Sequence, residues 1–266
     1  MDKNDRTWTF NIKRGVAAAF ELSWEELSEN AKQLGCLLSL FALAPIPWSL
    51  VESVGAEQDP EDLEDARVEL ENLHLLQGEA IYQLHQLIRE FFQEKLAYLA
   101  QANDLKRTLA SVMVAMAKQI PYPPTYGVIE SLTPKVPHLA EVATTLTEFL
   151  DKEDLAQFFT RLGEFYEGQG IYDKAKYWYE QCLSVTQNCL GDNHPAVAMS
   201  LNNLGLLYKF QGCYGEAERL YVQALELRIH LEEDNHSDIE ESLYNLNKVD
   251  MMPDSQESCL PFNFKT

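Results

Sequence analysis

The chain has 266 residues, 46% of them apolar, and a formal net charge of −21 at pH 7. The apolar content predicts a packed core and excludes a globally disordered chain. The acidic excess repels phosphate groups, and the densest basic stretches are only Lys13-Arg14 and Lys106-Arg107, so we expect neither a nucleic-acid partner nor a membrane partner.

Residues 1–20 are expected to form an N-terminal arm without the apolar core of a secretory signal. The chain has five cysteines, none of them in CxxC spacing, and an odd count without a signal favours reduced thiols. The most apolar run, Leu34 to Ala44, is too short to cross a bilayer. These observations favour a cytoplasmic protein.

Residues 21–100 alternate helical patterns with one hairpin pattern. Apolar residues at helical spacing predict helices near 27–41, 48–54, 59–73 and 87–99. Two short apolar runs flank Gln77-Gly78-Glu79-Ala80, which predicts a β-hairpin. Three helices, a hairpin and a closing helix indicate a winged-helix-like module.

Residues 101–154 are expected to form a helical linker. Helices are predicted near 103–119, 126–133 and 137–150, and the proline-rich stretch Pro121 to Pro124 interrupts them. That stretch is equally compatible with a flexible linker and with a packed corner, because apolar residues lie on both sides of it.

Residues 155–249 contain an internal repeat with an offset of 42 residues. The matching pairs are Gly163/Gly205, Tyr166/Tyr208, Gln169/Gln211, Gly170/Gly212, Tyr172/Tyr214, Ala175/Ala217, Tyr179/Tyr221 and Leu183/Leu225. A fixed period of this length predicts stacked helix pairs, an α-solenoid, with close approach at the small residues. A third unit is eroded, and residues 250–266 form an irregular tail. The predicted fold class is therefore mainly α, with the winged-helix-like module followed by the solenoid.

The stretch LGDNHPAVAMSLNNLGLLYKFQGCYGEAERLYVQALEL, from Leu190 to Leu227, resembles the tetratricopeptide repeat of the kinesin-light-chain-like type. The resemblance implies about two full repeats and a fragment. It also implies a non-enzymatic protein–protein interaction module, in which the first helix of each pair lines a concave face that binds a peptide or partner. The sequence shows no catalytic motif, and we expect no cofactor.

Repeat-equivalent residues on the first helices are the candidate partner-binding residues. Asn203, Asn245 and Arg161 share one position, and a carboxamide there can pair with the backbone of an extended peptide. Lys209 and Glu167 share another and are expected to flank the groove. The alternative is that the asparagines cap or bridge neighbouring helices. We expect the repeat tyrosines to serve packing, and His194 and His236 to serve turns or caps rather than a metal site.

The stretch LHLLQGEAIYQLHQLIREFF, with the helices before it, resembles the winged-helix module of NB-ARC-type signalling NTPases. The resemblance implies that His85 is a phosphate sensor, although Gln86 replaces the acidic residue of the family motif. The chain has no GxxxxGK[ST] loop, so a nucleotide would need a separate P-loop NTPase. The alternative is that His85 only orders the junction between hairpin and helix.

Three interpretations of the chain stay open. It is either an interaction module, or a regulatory or sensor fragment of a split or truncated NB-ARC-type NTPase, or a degenerate fragment without independent function.

A winged helix also suggests DNA binding, but residues 57–72 contain eight acidic residues and one basic residue, Arg67, and such a helix would be repelled by phosphates.

Overall fold

The computed structural model describes residues 18–56, 58–231 and 236–250. The chain divides into two units, one within Met1–Met113 and Glu130–Phe149 and the other within Val114–Ile129 and Leu150–Thr266. The segment 101–154, which we expected to be a linker, therefore contributes residues to both units.

After the first helix, which was not predicted, the helices before the repeats follow the predicted order. They are α1 (18–26), α2 (Glu29–Leu38), α3 (Trp48–Val54), α4 (Pro60–Asn72), α5 (Gln86–Leu96), α6 (Ala102–Lys118), α7 (Tyr126–Leu132) and α8 (Val136–Thr145), with a 3₁₀ turn at Thr147–Phe149. Side-chain caps explain where two of them begin, because Ser28 accepts from Ala31 N at 3.2 Å and Asp59 accepts from Glu61 N at 2.9 Å.

A small antiparallel sheet lies in the first unit. Its strands are β1 (Ile46–Pro47), β2 (Gln77–Gly78) and β3 (Ile81–Gln83), in the order β1-β3-β2. The predicted hairpin is confirmed as β2–β3, although β2 lies at Gln77–Gly78, within the stretch expected to form the turn. Strand β1 was not predicted, because prolines usually end elements. It forms because Ile46 lies opposite Tyr82, and both side chains are buried.

Arg67, the single basic residue of the acidic helix α4, has a structural role in the first unit. Its guanidinium pairs with Glu64 and Glu71 and donates to the hydroxyl of Tyr82. It also lies 5.5 Å from the ring centroid of Trp48. The charge is thus used to attach α4 to the sheet and to α3.

The second unit contains the repeats. Its helices are α9 (Lys152–Glu167), α10 (Tyr172–Leu190), α11 (Pro195–Phe210), α12 (Tyr214–His230) and α13 (His236–Asp250). Each helix packs on the next in chain order. The turns after α9 and α11 pass through Gly170 and Gly212 with φ of 71° and 77°, a conformation that glycine adopts without strain. The predicted fold class, mainly α with a hairpin and stacked helix pairs, is confirmed.

The repeat tyrosines mostly serve packing, as expected. Tyr179, Tyr208 and Tyr221 are buried in one core cluster, and Tyr166, Tyr172 and Tyr214 pack against it. The rings of Tyr179 and Tyr221 lie directly over Gly163 and Gly205, where any side chain would collide with them. The matched glycines of the two repeats therefore mark the closest approach within each helix pair.

Residues 114–129 pack against α9 in the second unit. Lys118 Nζ lies 2.6 Å from Asp154 Oδ1, and the side chain of Ile120 is buried. Pro124 lies so close to Gly168 that a Cβ there would overlap with its ring. The proline-rich stretch is thus a packed corner, which was one of the two interpretations of its sequence.

The described residues bear on the expected absence of a membrane span and on the expected state of the cysteines. No helix within 18–56, 58–231 and 236–250 has the length and apolar character needed to span a bilayer. Cys36, Cys182 and Cys189 are free, as expected.

Candidate partner-binding face of the repeats

Helix α11 carries an open face that centres on Asn203. Met199, Asn203, Leu206 and Phe210 follow each other at spacings of four, three and four residues, which places them on one side of a helix. Met199 and Phe210 are 49% and 51% exposed, and the other two are partly exposed. The face combines an amide with apolar side chains. The sequence analysis identified the amide but not its apolar neighbours, although their spacing was visible.

Arg161, the equivalent of Asn203 on α9, is engaged within its own helix. Its Nη1 lies 2.7 Å from Glu164 Oε2. Its Nε is buried and has no hydrogen-bond partner among the described residues. Burial raises the pKa of Glu164, and the charge of Arg161 opposes that shift. This part of α9 therefore presents an ion pair with one unused donor.

Asn245, the equivalent on α13, lies between two helices. Its side chain is buried, and its Nδ2 lies 3.5 Å from Oδ1 of Asn202 on α11. This contact is the one expected if the asparagines bridge neighbouring helices. Of the two predicted asparagines, only Asn203 is partly exposed.

Glu167 is buried at the end of α9. Its Oε1 accepts a hydrogen bond from the Tyr122 hydroxyl at 2.7 Å, and its Oε2 accepts from the Tyr179 hydroxyl at 2.8 Å. The side chain is only 7% exposed. The carboxylate is therefore engaged inside the unit, where it ties the segment before α9 to α10, and is not presented at an open face.

The buried carboxyl of Glu167 makes stability depend on pH. Burial raises its pKa above the ordinary 4.5, and the two tyrosine hydrogen bonds oppose the shift. Between the ordinary and the raised pKa the folded chain binds more protons than the unfolded chain. We therefore expect this group to lower the free energy of unfolding as pH rises from 4.5 through that window.

Glu167→Gln removes this titration, so urea unfolding across the same pH range should show a shallower fall in stability than in the native chain. Glu153→Gln, on the exposed side of the same helix, is the matched control and should leave the slope as it is. Equal slopes in the two variants would contradict the assignment.

Lys209 stands where Glu167 stands in the preceding repeat. It is partly exposed and has no carboxylate partner among the described residues. Burial lowers its pKa, and the nearby charge of Lys248 lowers it further. Because a lysine cannot accept a hydrogen bond, the buried hydroxyl of Tyr221, the equivalent of Tyr179, has no partner among the described residues.

His85 caps a helix. Its Nδ1 accepts from Leu87 N at 3.2 Å at the start of α5, and the side chain is exposed. His194 makes the same cap at the start of α11, to Ala196 N at 3.1 Å, as its expected capping role requires. With Nδ1 used as an acceptor, Nε2 is the nitrogen of His85 that can donate. Across the described ranges no group of three His, Cys, Asp or Glu side chains could hold a metal ion.

The comparisons with known proteins bear on the second unit. Residues 154–246 match the family model of the tetratricopeptide repeat. The match covers about a third of the chain and includes α11 with its whole open face. No curated protein matches the chain.

Two solved structures resemble the chain at low similarity. BtubC (BKLC) from P. vanneervenii has 20% identity and a TM-score of 0.44, with 76% of this chain and 80% of that chain covered. A Signal Transduction ATPase with Numerous Domains (STAND) protein with a tetratricopeptide repeat sensor, from Pyrococcus horikoshii, has 13% identity and a TM-score of 0.35, with 86% and 48% covered. Neither carries an inference about function at these scores.

Proposed function

We propose that this protein is a non-enzymatic protein–protein interaction module of the cytoplasm that binds a peptide or partner on the open face of α11. The observation that carries the proposal is the Asn203 amide between the exposed side chains of Met199 and Phe210, on the first helix of a tetratricopeptide pair. Tetratricopeptide stacks are scaffolds whose extended surfaces bind other proteins.

The chemistry of this face suits an extended peptide. The carboxamide of Asn203 can donate to a peptide carbonyl and accept from a peptide N–H, which gives affinity with little demand on sequence. Phe210 and Met199 offer apolar area on either side, and covering one such side chain contributes about 1–2 kcal/mol. Affinity would thus come from the two apolar contacts and orientation from the amide.

The other predicted partner-binding residues divide into partly exposed ones, Lys209 and Arg161, and buried ones, Asn245 and Glu167. Lys209, next to Phe210, supplies positive charge and has no carboxylate partner among the described residues, whereas the charge of Arg161 on α9 is paired with Glu164. Asn245 and Glu167 are buried and act through position, because Asn245 contacts Asn202 and Glu167 holds Tyr122 and Tyr179. In this proposal Asn203 and Lys209 touch the partner, and the two buried residues keep the helices in place.

The test is affinity purification of the tagged full-length chain from its native cells, with quantitative mass spectrometry. We expect Asn203→Ala and Phe210→Ala each to lower recovery of the same partner about tenfold, the equivalent of about 1.4 kcal/mol. Gln223→Ala, an exposed position on α12, is the control and should retain the partner. Recovery equal to that of the native chain in both α11 variants would overturn the proposal.

A second candidate function is a regulatory or sensor part of a split NB-ARC-type NTPase. The sequence of α2–α4, a hairpin and α5 in the first unit supports a winged-helix-like module, and His85 is exposed at its hairpin–helix junction. This candidate requires a separate P-loop NTPase that copurifies with the chain.

His85→Asn separates the two roles of the residue, because asparagine also caps helices well. If His85 senses phosphate, the complex with a P-loop NTPase should lose ADP retention in His85→Asn while the melting temperature of the chain stays unchanged. If no such NTPase copurifies, or ADP is retained equally, this candidate is excluded. A chain that copurifies with nothing would favour the degenerate fragment.

A further inference from the structure

Helix α13 presents an exposed stripe on its outer side. Glu240, Tyr244 and Lys248 follow each other at four-residue spacing, and Leu243 and Asn247 lie beside them. Tyr244 is 60% exposed and Leu243 is 42% exposed. Lys248 Nζ lies 5.1 Å from the ring centroid of Tyr244, so the cation and the ring share one face.

Two of these positions, those of Leu243 and Tyr244, are buried one repeat earlier. Leu201 and Asn202 of α11 are the equivalents of Leu243 and Tyr244, and they are 6% and 3% exposed. Asn202 is covered because α13 packs there and brings Asn245 against it. At Tyr244, helix α13 thus shows part of the surface that the next first helix of a stack would cover, and no described residue covers it. Lys248 is the equivalent of Leu206, which is on the open face of α11.

The charges on this stripe are separated by sign. Glu240 lies one turn before Tyr244 and Lys248 one turn after it, and neither forms an ion pair within the described residues. When the order acid, aromatic, base is read in the opposite direction, each acid lies opposite a base and the aromatic residues lie opposite each other. An antiparallel copy of the same helix therefore places each acid opposite a base, with the apolar side chains at the centre.

We propose that α13 is a self-association surface on which a second copy of this chain packs antiparallel. The two-fold axis passes near Tyr244, so Glu240 of each copy pairs with Lys248 of the other, and Tyr244 and Leu243 cover each other across the axis. This is an isologous contact, in which the same patch serves both copies. It goes beyond the proposed peptide binding, although Lys248 of the stripe lies near Lys209 at the border of the α11 face.

The size of the surface sets the strength of the dimer. One face of a single helix is much smaller than the ~800 Å² per partner of a standard stable interface, so we expect a dissociation constant in the micromolar range. Its charge pairs are exposed, so the dimer should weaken as salt screens them.

Sedimentation equilibrium of the full-length chain over the micromolar range tests the proposal. We expect a monomer–dimer equilibrium that weakens at high salt. Glu240→Lys and Lys248→Glu each place like charges opposite one another twice, so each should weaken dimerisation about tenfold or more. The double variant Glu240→Lys with Lys248→Glu restores opposite charges and should return the dissociation constant to near the native value.

Glu226→Lys, an exposed charge reversal on α12, is the matched control and should dimerise like the native chain. A native chain that is monomeric throughout the range overturns the proposal. So does a dimer that is insensitive to both single variants, because it uses another surface. If the native chain is monomeric and deletion of residues 251–266 alone creates a dimer, the C-terminal segment is the occupant, and the proposal also fails.

Discussion

Gly163→Ala is expected to lower the free energy of unfolding by about 2 kcal/mol, although the same change inside a helix normally raises it by about 1 kcal/mol. The reason is the Tyr179 ring, which lies so close to Gly163 that a Cβ would overlap with it. The ring cannot move aside easily, because it is buried and its hydroxyl is bonded to Glu167. The helix pair would have to separate locally.

Two other glycines provide a graded series for this test. A Cβ at Gly205 would lie 2.8 Å from Cε1 of Tyr221. The Tyr221 hydroxyl has no partner among the described residues, so its ring can shift more easily, and Gly205→Ala should lower the free energy of unfolding less than Gly163→Ala does. A Cβ at Gly127 in α7 would meet nothing within 4 Å, so Gly127→Ala should stabilise by up to about 1 kcal/mol. Urea unfolding of the three variants should give this order. Equal effects at Gly163 and Gly127 would contradict the packing.

Arg228→Ala is expected to lower the free energy of unfolding by about 3 kcal/mol and to weaken the packing of α13 in particular. Arg228 lies in the last turn of α12 and is 3% exposed. Its Nη1 donates to the backbone carbonyl of Asp238 and to Ser242 Oγ, both on α13. Alanine would leave the fully buried hydroxyl of Ser242 without this donor and would open a cavity where the arginine stem had been.

Hydrogen exchange measures this effect directly, because α13 amides should exchange faster in Arg228→Ala while those of α9 and α10 change little. Arg219→Ala is the matched control, since Arg219 is on the same helix but exposed, and Glu216 is its one ion-pair partner among the described residues. This change should lower the free energy of unfolding by less than about 0.5 kcal/mol. If α13 is protected equally in both variants, Arg228 does not hold it.

The repeats could be predicted because their information is periodic. The offset of 42 residues aligned Gly163 with Gly205 and Tyr179 with Tyr221, and the structure places each glycine under its tyrosine. Helix ends were also predictable where a local signal exists, as at Asp59-Pro60. Such features depend on neighbours a few residues away, which a single sequence displays.

The site could be predicted only in part, because repeat equivalence does not ensure equal surroundings. Asn203 and Asn245 share a position, yet only Asn245 has Asn202 against it. Glu167 and Lys209 share another position, yet Glu167 is buried and accepts a hydrogen bond from Tyr122, which is 45 residues away in the sequence. Strand β1 was missed because its prolines indicated the end of a helix and because its partner Tyr82 is distant in sequence. Contacts between distant segments leave no periodic trace.

The repeats depend on the corner formed by residues 114–129, so they would lose stabilising contacts if they were excised without it. A segment cut at the start of α9 would lose the donor that Tyr122 gives to Glu167, the ion pair of Lys118 with Asp154, and the proline ring that covers Gly168. Recombination of this stack into another protein would thus have to carry the preceding corner with it. The natural unit of exchange begins inside α6, well before the first residue that repeats.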